Sequence, residues 1–129
     1  MPRSTILIID DSAEHRDIVS RLLRAADFTV YEAQPGLEAL DIANTQQPDL
    51  ILLGLSLPGQ PGWETARQLR NRAALRHVPI LGATVFNALI SRARARAIGC
   101  VDYVDKPFDL DVLLARIHSL LGPAPTLAA

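Results

Sequence analysis

Short, unbroken apolar runs rich in β-branched residues alternate with stretches of helical periodicity from one end of this chain to the other, and that alternation restricts the fold more than any other feature. Thr5-Ile6-Leu7-Ile8-Ile9 reads as a strand buried on both faces, as in a parallel sheet, because an exposed face would need alternating polar residues. Asp10, Asp11 and Ser12 follow and offer N-cap oxygens, and from Ala13 the apolar residues Ile18, Val19, Leu22 and Leu23 recur on one helical face. The pattern then repeats. Phe28–Glu32 is a second strand, and Gly36 opens a helix carrying Leu37, Leu40 and Ala43. Asp49–Leu53 is a third strand, and Pro58, Gly59, Pro61 and Gly62 form a loop before a helix over Trp63–Ala74. Val78–Ala83 is the fourth strand and Ala88–Ile98 the fourth helix, with Gly99 as its C-cap glycine. Val101–Val104 is the fifth strand, and Asp109 opens a last helix that turns Leu110, Leu113, Leu114, Ile117 and Leu121 inward. Residues 1–122 make one domain by this reading, and 123–129, rich in Pro and Ala, a flexible tail or the start of a linker.

Five β-α units with short connections imply a single doubly wound α/β domain of flavodoxin-like (βα)5 type. Its five-stranded sheet is parallel, with right-handed crossovers placing helices on both faces. In such sheets the site lies beyond the carboxyl ends of the strands, near the point where strand order reverses. The residues just past the strand ends are therefore the candidates: Asp10 and Asp11, Gly54 to Ser56, Thr84 and Lys106. Paired carboxylates are hard oxygen ligands suited to Mg²⁺. With a hydroxyl and a lysine on the same edge they make a phosphoryl-handling set. Asp10 and Asp11 taken alone are as readily helix caps.

Four segments carry a specific resemblance. Ile6-Leu7-Ile8-Ile9-Asp10-Asp11-Ser12, Asp49-Leu50-Ile51-Leu52-Leu53-Gly54-Leu55-Ser56-Leu57-Pro58-Gly59, Ile80-Leu81-Gly82-Ala83-Thr84 and Asp102-Tyr103-Val104-Asp105-Lys106-Pro107-Phe108 resemble the signature segments of response-regulator receiver domains of two-component systems, the group to which the chemotaxis regulators belong. They stand in the family's order and cover nearly the whole chain. The resemblance implies that Asp11 is the direct Mg²⁺ ligand, that Asp10 acts largely through water, and that the Ser56 backbone carbonyl completes the site. It implies that Thr84 and Lys106 bind phosphoryl oxygens and that Thr84 and Tyr103 are the switch residues. It also implies the strand order 2-1-3-4-5 and a phosphorelay protein. The single cysteine, Cys100, suits a reducing cytoplasm. The expected partners are a sensor histidine kinase, another regulator or an output domain, met through the fourth helix, fifth strand and fifth helix, with Arg92, Arg96 and Tyr103 on that surface.

Two positions depart from the pattern: Gly54, which bears on the chemistry, and Pro61, before Gly62, where many members have an Asp-Gly pair and which does not. Family members carry aspartate where this chain has Gly54, and glycine supplies no nucleophile for the phosphotransfer. Asp49 begins the same strand ~16 Å away and cannot substitute. With one carboxylate fewer, Mg²⁺ is expected to bind only weakly, and the space left by the missing side chain is expected to hold water. The expectation is a pseudo-receiver that works by protein–protein interaction and is no enzyme. A substituted form of an ordinary phosphoaccepting receiver remains the alternative, because Asp10, Asp11, Thr84 and Lys106 are all retained. In that case Gly54→Asp restores the chemistry if the remaining pocket is still correctly built, whereas an inert Gly54→Asp marks a phosphorylation-independent binding module.

Composition narrows the other classes. The formal net charge of −1 gives no basic field for nucleic acid, and no segment after the last helix could form a helix-turn-helix. No apolar run approaches the ~20 residues of a membrane span. The single cysteine, Cys100, forms neither an internal disulfide nor a paired-cysteine metal site, and reads as a small buried hydrophobe. His15, His77 and His118 are scattered and read as surface or capping residues. A flavodoxin-like cofactor protein shares the fold class, but the acidic first loop lacks a glycine- or hydroxyl-rich phosphate cradle, and no Walker loop or dinucleotide fingerprint is present.

Overall fold

A computed structural model describes residues 4–55, 61–84, 97, 100–105 and 109–121, with the backbone alone at 61, 84 and 101–105. Five strands are present: β1 (Thr5–Ile9), β2 (Thr29–Ala33), β3 (Leu50–Gly54), β4 (Ile80–Thr84) and β5 (Cys100–Asp105). They form one parallel sheet in the order β2-β1-β3-β4-β5. The helices are α1 (Ala13–Ala25), α2 (Leu37–Gln46), α3 (Pro61–Arg70) and a last helix, Leu110–Leu121, with a 3₁₀ turn at Ala73–Leu75. The expected fourth helix, with Arg92 and Arg96, lies outside the described residues but for Ala97, as does the expected tail.

The sheet separates two apolar layers, and the period of two along each strand decides which residue enters which. Leu7, Ile9, Ile51 and Leu53 face α2 and α3, where Leu40, Ala43, Trp63, Ala66 and Leu69 meet them. Ile6, Ile8, Leu50 and Leu52 face α1 and the last helix, against Val19, Leu23, Leu113 and Ile117. The four apolar residues of β1 are each at most 1 % exposed. Burial of this completeness contributes about 1.5–3 kcal/mol per side chain, which is why an apolar run without alternation settles in the middle of a parallel sheet.

Several boundaries differ from the sequence reading, each for a local reason. Phe28 belongs to the turn after α1 rather than to β2: Asp27 adopts a φ of 70° and the Phe28 N–H still bonds Leu23 O at 3.1 Å. Helix α3 starts at Pro61, not Trp63, because proline suits the first helical turn, where its missing N–H has no partner to lose. It ends at Arg70, not Ala74. The Arg70 guanidinium folds over the following 3₁₀ turn and donates to the carbonyls of Leu75 (3.1 Å), Arg76 (3.1 Å) and Val78 (2.7 Å). Strand β5 starts at Cys100, one residue before its expected place, with a register irregularity opposite Ile80 and Leu81.

Candidate functional site

The order β2-β1-β3 reverses chain direction across the sheet between β1 and β3, so the crevice beyond these two strands is where a ligand site belongs. Ile9 pairs with Leu53, which sets Asp10 beside Gly54 at the carboxyl edge. Gly54 pairs with Ala83, so Thr84 ends β4 at the same edge, and Thr84 pairs with Asp105, the last residue of β5. Tyr103 lies within β5, paired with Gly82. Asp49 stands at the opposite edge, where its carboxylate accepts the Thr5 N–H at 2.7 Å. It is thus far from Gly54, as its strand position requires. Ser56, Lys106, Arg92 and Arg96 lie outside the described residues, as do the side chains of Thr84 and Tyr103.

Asp10 and Asp11 are adjacent in sequence but opposite in environment. Asp11 is exposed, whereas Asp10 is only 3 % exposed. The Asp10 N–H continues the ladder to Ala33 O at 3.2 Å, which fixes its backbone. Its Oδ1 accepts the Ser12 N–H at 2.9 Å, and its Oδ2 lies 2.8 Å from His15 Nδ1. An ionised carboxylate can only accept, so Nδ1 carries the hydrogen in this pair. The Arg16 guanidinium donates to the Asp10 carbonyl oxygen. Ser12 is the helix cap itself, its Oγ accepting the His15 N–H at 3.2 Å. The cap expected from three candidate oxygens is therefore supplied by one, Ser12.

The Asp10 carboxylate also meets position 54. A Cβ placed on Gly54 would stand 2.7 Å from Asp10 Oδ2 and 2.9 Å from Asp10 Cγ, closer than real Cβ atoms approach any such atom. The space expected to hold water is filled instead by the Asp10 carboxylate. A short acid one strand away reaches into the vacancy, and the His15 ring fixes it there. His15, read from the sequence as a surface or capping residue, is three-quarters buried and belongs to the site. No spacing rule signalled it, since Asp10 and His15 straddle the strand-to-helix turn, and only the shape of that turn brings them together. A second glycine closes the other side: a Cβ on Gly62 would overlap the Gly54 carbonyl oxygen.

Of the three residues that the resemblance assigns to Mg²⁺, Asp10 and Asp11 are described and Ser56 lies outside the described residues. Mg²⁺ takes one or two carboxylates and keeps several waters. Asp10 turns both oxygens toward protein N–H donors and toward position 54, while Asp11 faces solvent. Among the described residues no three acidic, histidine or cysteine side chains converge on one point.

The family model for the response regulator receiver domain matches residues 6–118. The chain belongs to that family. It is a receiver domain of two-component signalling, with the flavodoxin-like α/β fold shared by the chemotaxis regulators. It is 34% identical over 124 residues to the polar-differentiation response regulator DivK of Brucella anthropi, covering 96% of this chain and 100% of that one. Among solved structures it is similar to the chemotaxis protein CheY4 of Vibrio cholerae, at 28% identity and TM-score 0.85 over 92% of this chain and 99% of that one. It also resembles a response regulator of Burkholderia multivorans, at 34% identity and TM-score 0.74 over 97% and 100% of the two chains. No helix among the described residues is long and apolar enough to cross a membrane.

Proposed function

We propose that this receiver domain acts as a phosphorylation-independent binding module in a two-component pathway. The reading takes Gly54 as the acceptor position by the family resemblance, and the observation that supports it is the approach of Asp10: glycine offers no nucleophile, and the Asp10 carboxylate occupies the room a side chain at 54 would need. Phosphoryl transfer needs an attacking oxygen and positioned positive charge. Without the first, Thr84 and Lys106 have no phosphoryl group to hold, and the domain is not an enzyme. Mg²⁺ binds weakly in this reading. The fold then serves as a fixed surface for a histidine kinase, another regulator or an output domain in the cytoplasm. Arg92, Arg96 and Tyr103 are the contact residues to test on the fourth helix and fifth strand. The alternative of a recently substituted acceptor draws on the retained Asp10, Asp11, Thr84 and Lys106. The orientation of Asp10 favours the first reading, because a retained pocket would keep that space open.

Incubation of the full chain with acetyl phosphate and Mg²⁺ tests the proposal by intact-mass spectrometry. The expected result is no added phosphoryl mass. A phosphorylated species in good yield would overturn it and direct attention to Ser56 as acceptor.

A further inference from the structure

We propose that His15 is an internal latch that closes the acidic pocket by holding the Asp10 carboxylate in the space of a side chain at position 54. The inference rests on the reading of Gly54 as the acceptor position and adds a residue that no comparison assigns.

The geometry has three linked parts. Oδ2, the atom that would meet a Cβ of residue 54 at 2.7 Å, is the same atom that lies 2.8 Å from His15 Nδ1. Oδ1, 3.4 Å from that Cβ position, is held by the Ser12 amide at 2.9 Å. The Asp10 backbone is pinned by Ala33 O and by Arg16, so it does not move aside as a unit. Any side chain at 54 must therefore rotate the carboxylate and break its contact with His15. A terminal carboxylate is flexible in itself, so the resistance comes from its partners. Without His15 the carboxylate loses the donor on Oδ2, and the restraint that keeps this oxygen at position 54 is weakened. Position 54 and position 15 are thus coupled through Asp10. With the latch closed, Gly54→Asp alone does not restore a receiver site. It sets two carboxylates against each other with the latch still closed.

The test is a double-mutant cycle on the full chain: wild type, Gly54→Ala, His15→Ala and the double variant, followed by thermal melting. Gly54→Ala is expected to lower the melting temperature by about 5–10 °C in the wild-type background and by less than half as much beside His15→Ala. In a parallel pair, Gly54→Asp is expected to gain a Mg²⁺-dependent rise in melting temperature only when His15→Ala is also present. Equal losses from Gly54→Ala in both backgrounds, or a full Mg²⁺ response of Gly54→Asp alone, would overturn the latch. Should a variant not fold, nitrogen-15 spectra of the wild-type imidazole decide instead. Nδ1 is expected to carry hydrogen, and a bare Nδ1 refutes the contact. None of these outcomes depends on whether the wild type takes up phosphate, so the latch and the binding-module reading can fail separately.

Discussion

Replacing Gly62 by Ala is expected to destabilise the domain, although alanine is the better helix former. A Cβ at Gly62 would fall well inside the 3.0 Å limit from Gly54 O, with the Gly54 carbonyl carbon at 3.6 Å and Leu55 Cδ2 at 3.8 Å. The obstacle is backbone, so no rotamer change relieves it. Strand β3 cannot retreat easily: the Leu55 N–H is tied to Ala83 O at 2.8 Å, and Leu53 and Leu55 are buried. Helix α3 cannot lift off easily either. Trp63, Ala66 and Leu69 fill the core beneath it, and Thr65 Oγ1 accepts the Gly36 N–H at 2.9 Å. Forcing a methyl into such a contact costs about 1–3 kcal/mol, and occasionally more. The gain in helix propensity returns at most about 1 kcal/mol, and less in a first turn. A net loss of about 2 kcal/mol corresponds to a fall in melting temperature of roughly 6–10 °C for a domain of this size. Circular dichroism melting of the two chains, with urea midpoints as a check on the slope, measures it. An unchanged or raised melting temperature would refute the close approach of α3 to the end of β3, and with it the narrow geometry ascribed to the pocket.

Two further outcomes follow from buried groups. Ser20 is fully buried in α1 and its Oγ has no partner among the described residues, so Ser20→Ala should raise stability by about 1 kcal/mol, through relief of desolvation and better helix propensity; a lower denaturation midpoint would mean that the hydroxyl is bonded. Burial pushes the Cys100 thiol up from its ordinary 9.0 to about 12, and the Arg70 charge opposes this only in part. The folded thiol then keeps its proton where the unfolded one loses it, so its contribution to stability is present below pH 9.0 and declines as the pH rises toward about 12. Native protein at pH 8 should leave a thiol reagent unconsumed until denaturant is added, and rapid labelling of the folded state would refute the burial.

The legible parts of this molecule are those set by repeating pattern. Ile6 to Ile9 announce a central strand by having no polar side, and Ser12 with the periodic apolar residues of α1 announces a helix start. The alternation of strands and helices places Asp10 and Gly54 at the carboxyl edge of a parallel sheet without any coordinate. The missed features depend on single contacts between elements. Pro61 and Gly62 read as breakers, yet one suits a helix start and the other is needed where α3 touches β3. Arg70 ends α3 through carbonyls five to eight residues onward, a capping device outside short-range rules. The rotamer of Asp10 was invisible for the same reason. A carboxylate at a strand end can face solvent, a cation or a neighbouring strand, and here a ring five residues later makes the choice.

That choice bears on how the domain could signal. A ligand shifts a conformational equilibrium only by its differential affinity for the two states. An acidic pocket that awaits a cation and a phosphoryl group has such a difference built in, because uncompensated carboxylates disfavour the empty state. In this chain the compensation is internal: the Ser12 amide and the His15 ring meet the carboxylate, and Arg16 meets the carbonyl of the same residue. Burying an ionised group costs several kcal/mol unless its partners are in place, so this constellation holds the pocket in one arrangement. In the binding-module reading, no small ligand then has a second pocket state to select. Control passes to what competes for the outer surface and to how much of the protein is present. A partner that binds this domain would recognise the same face whether or not the pathway's kinase is active.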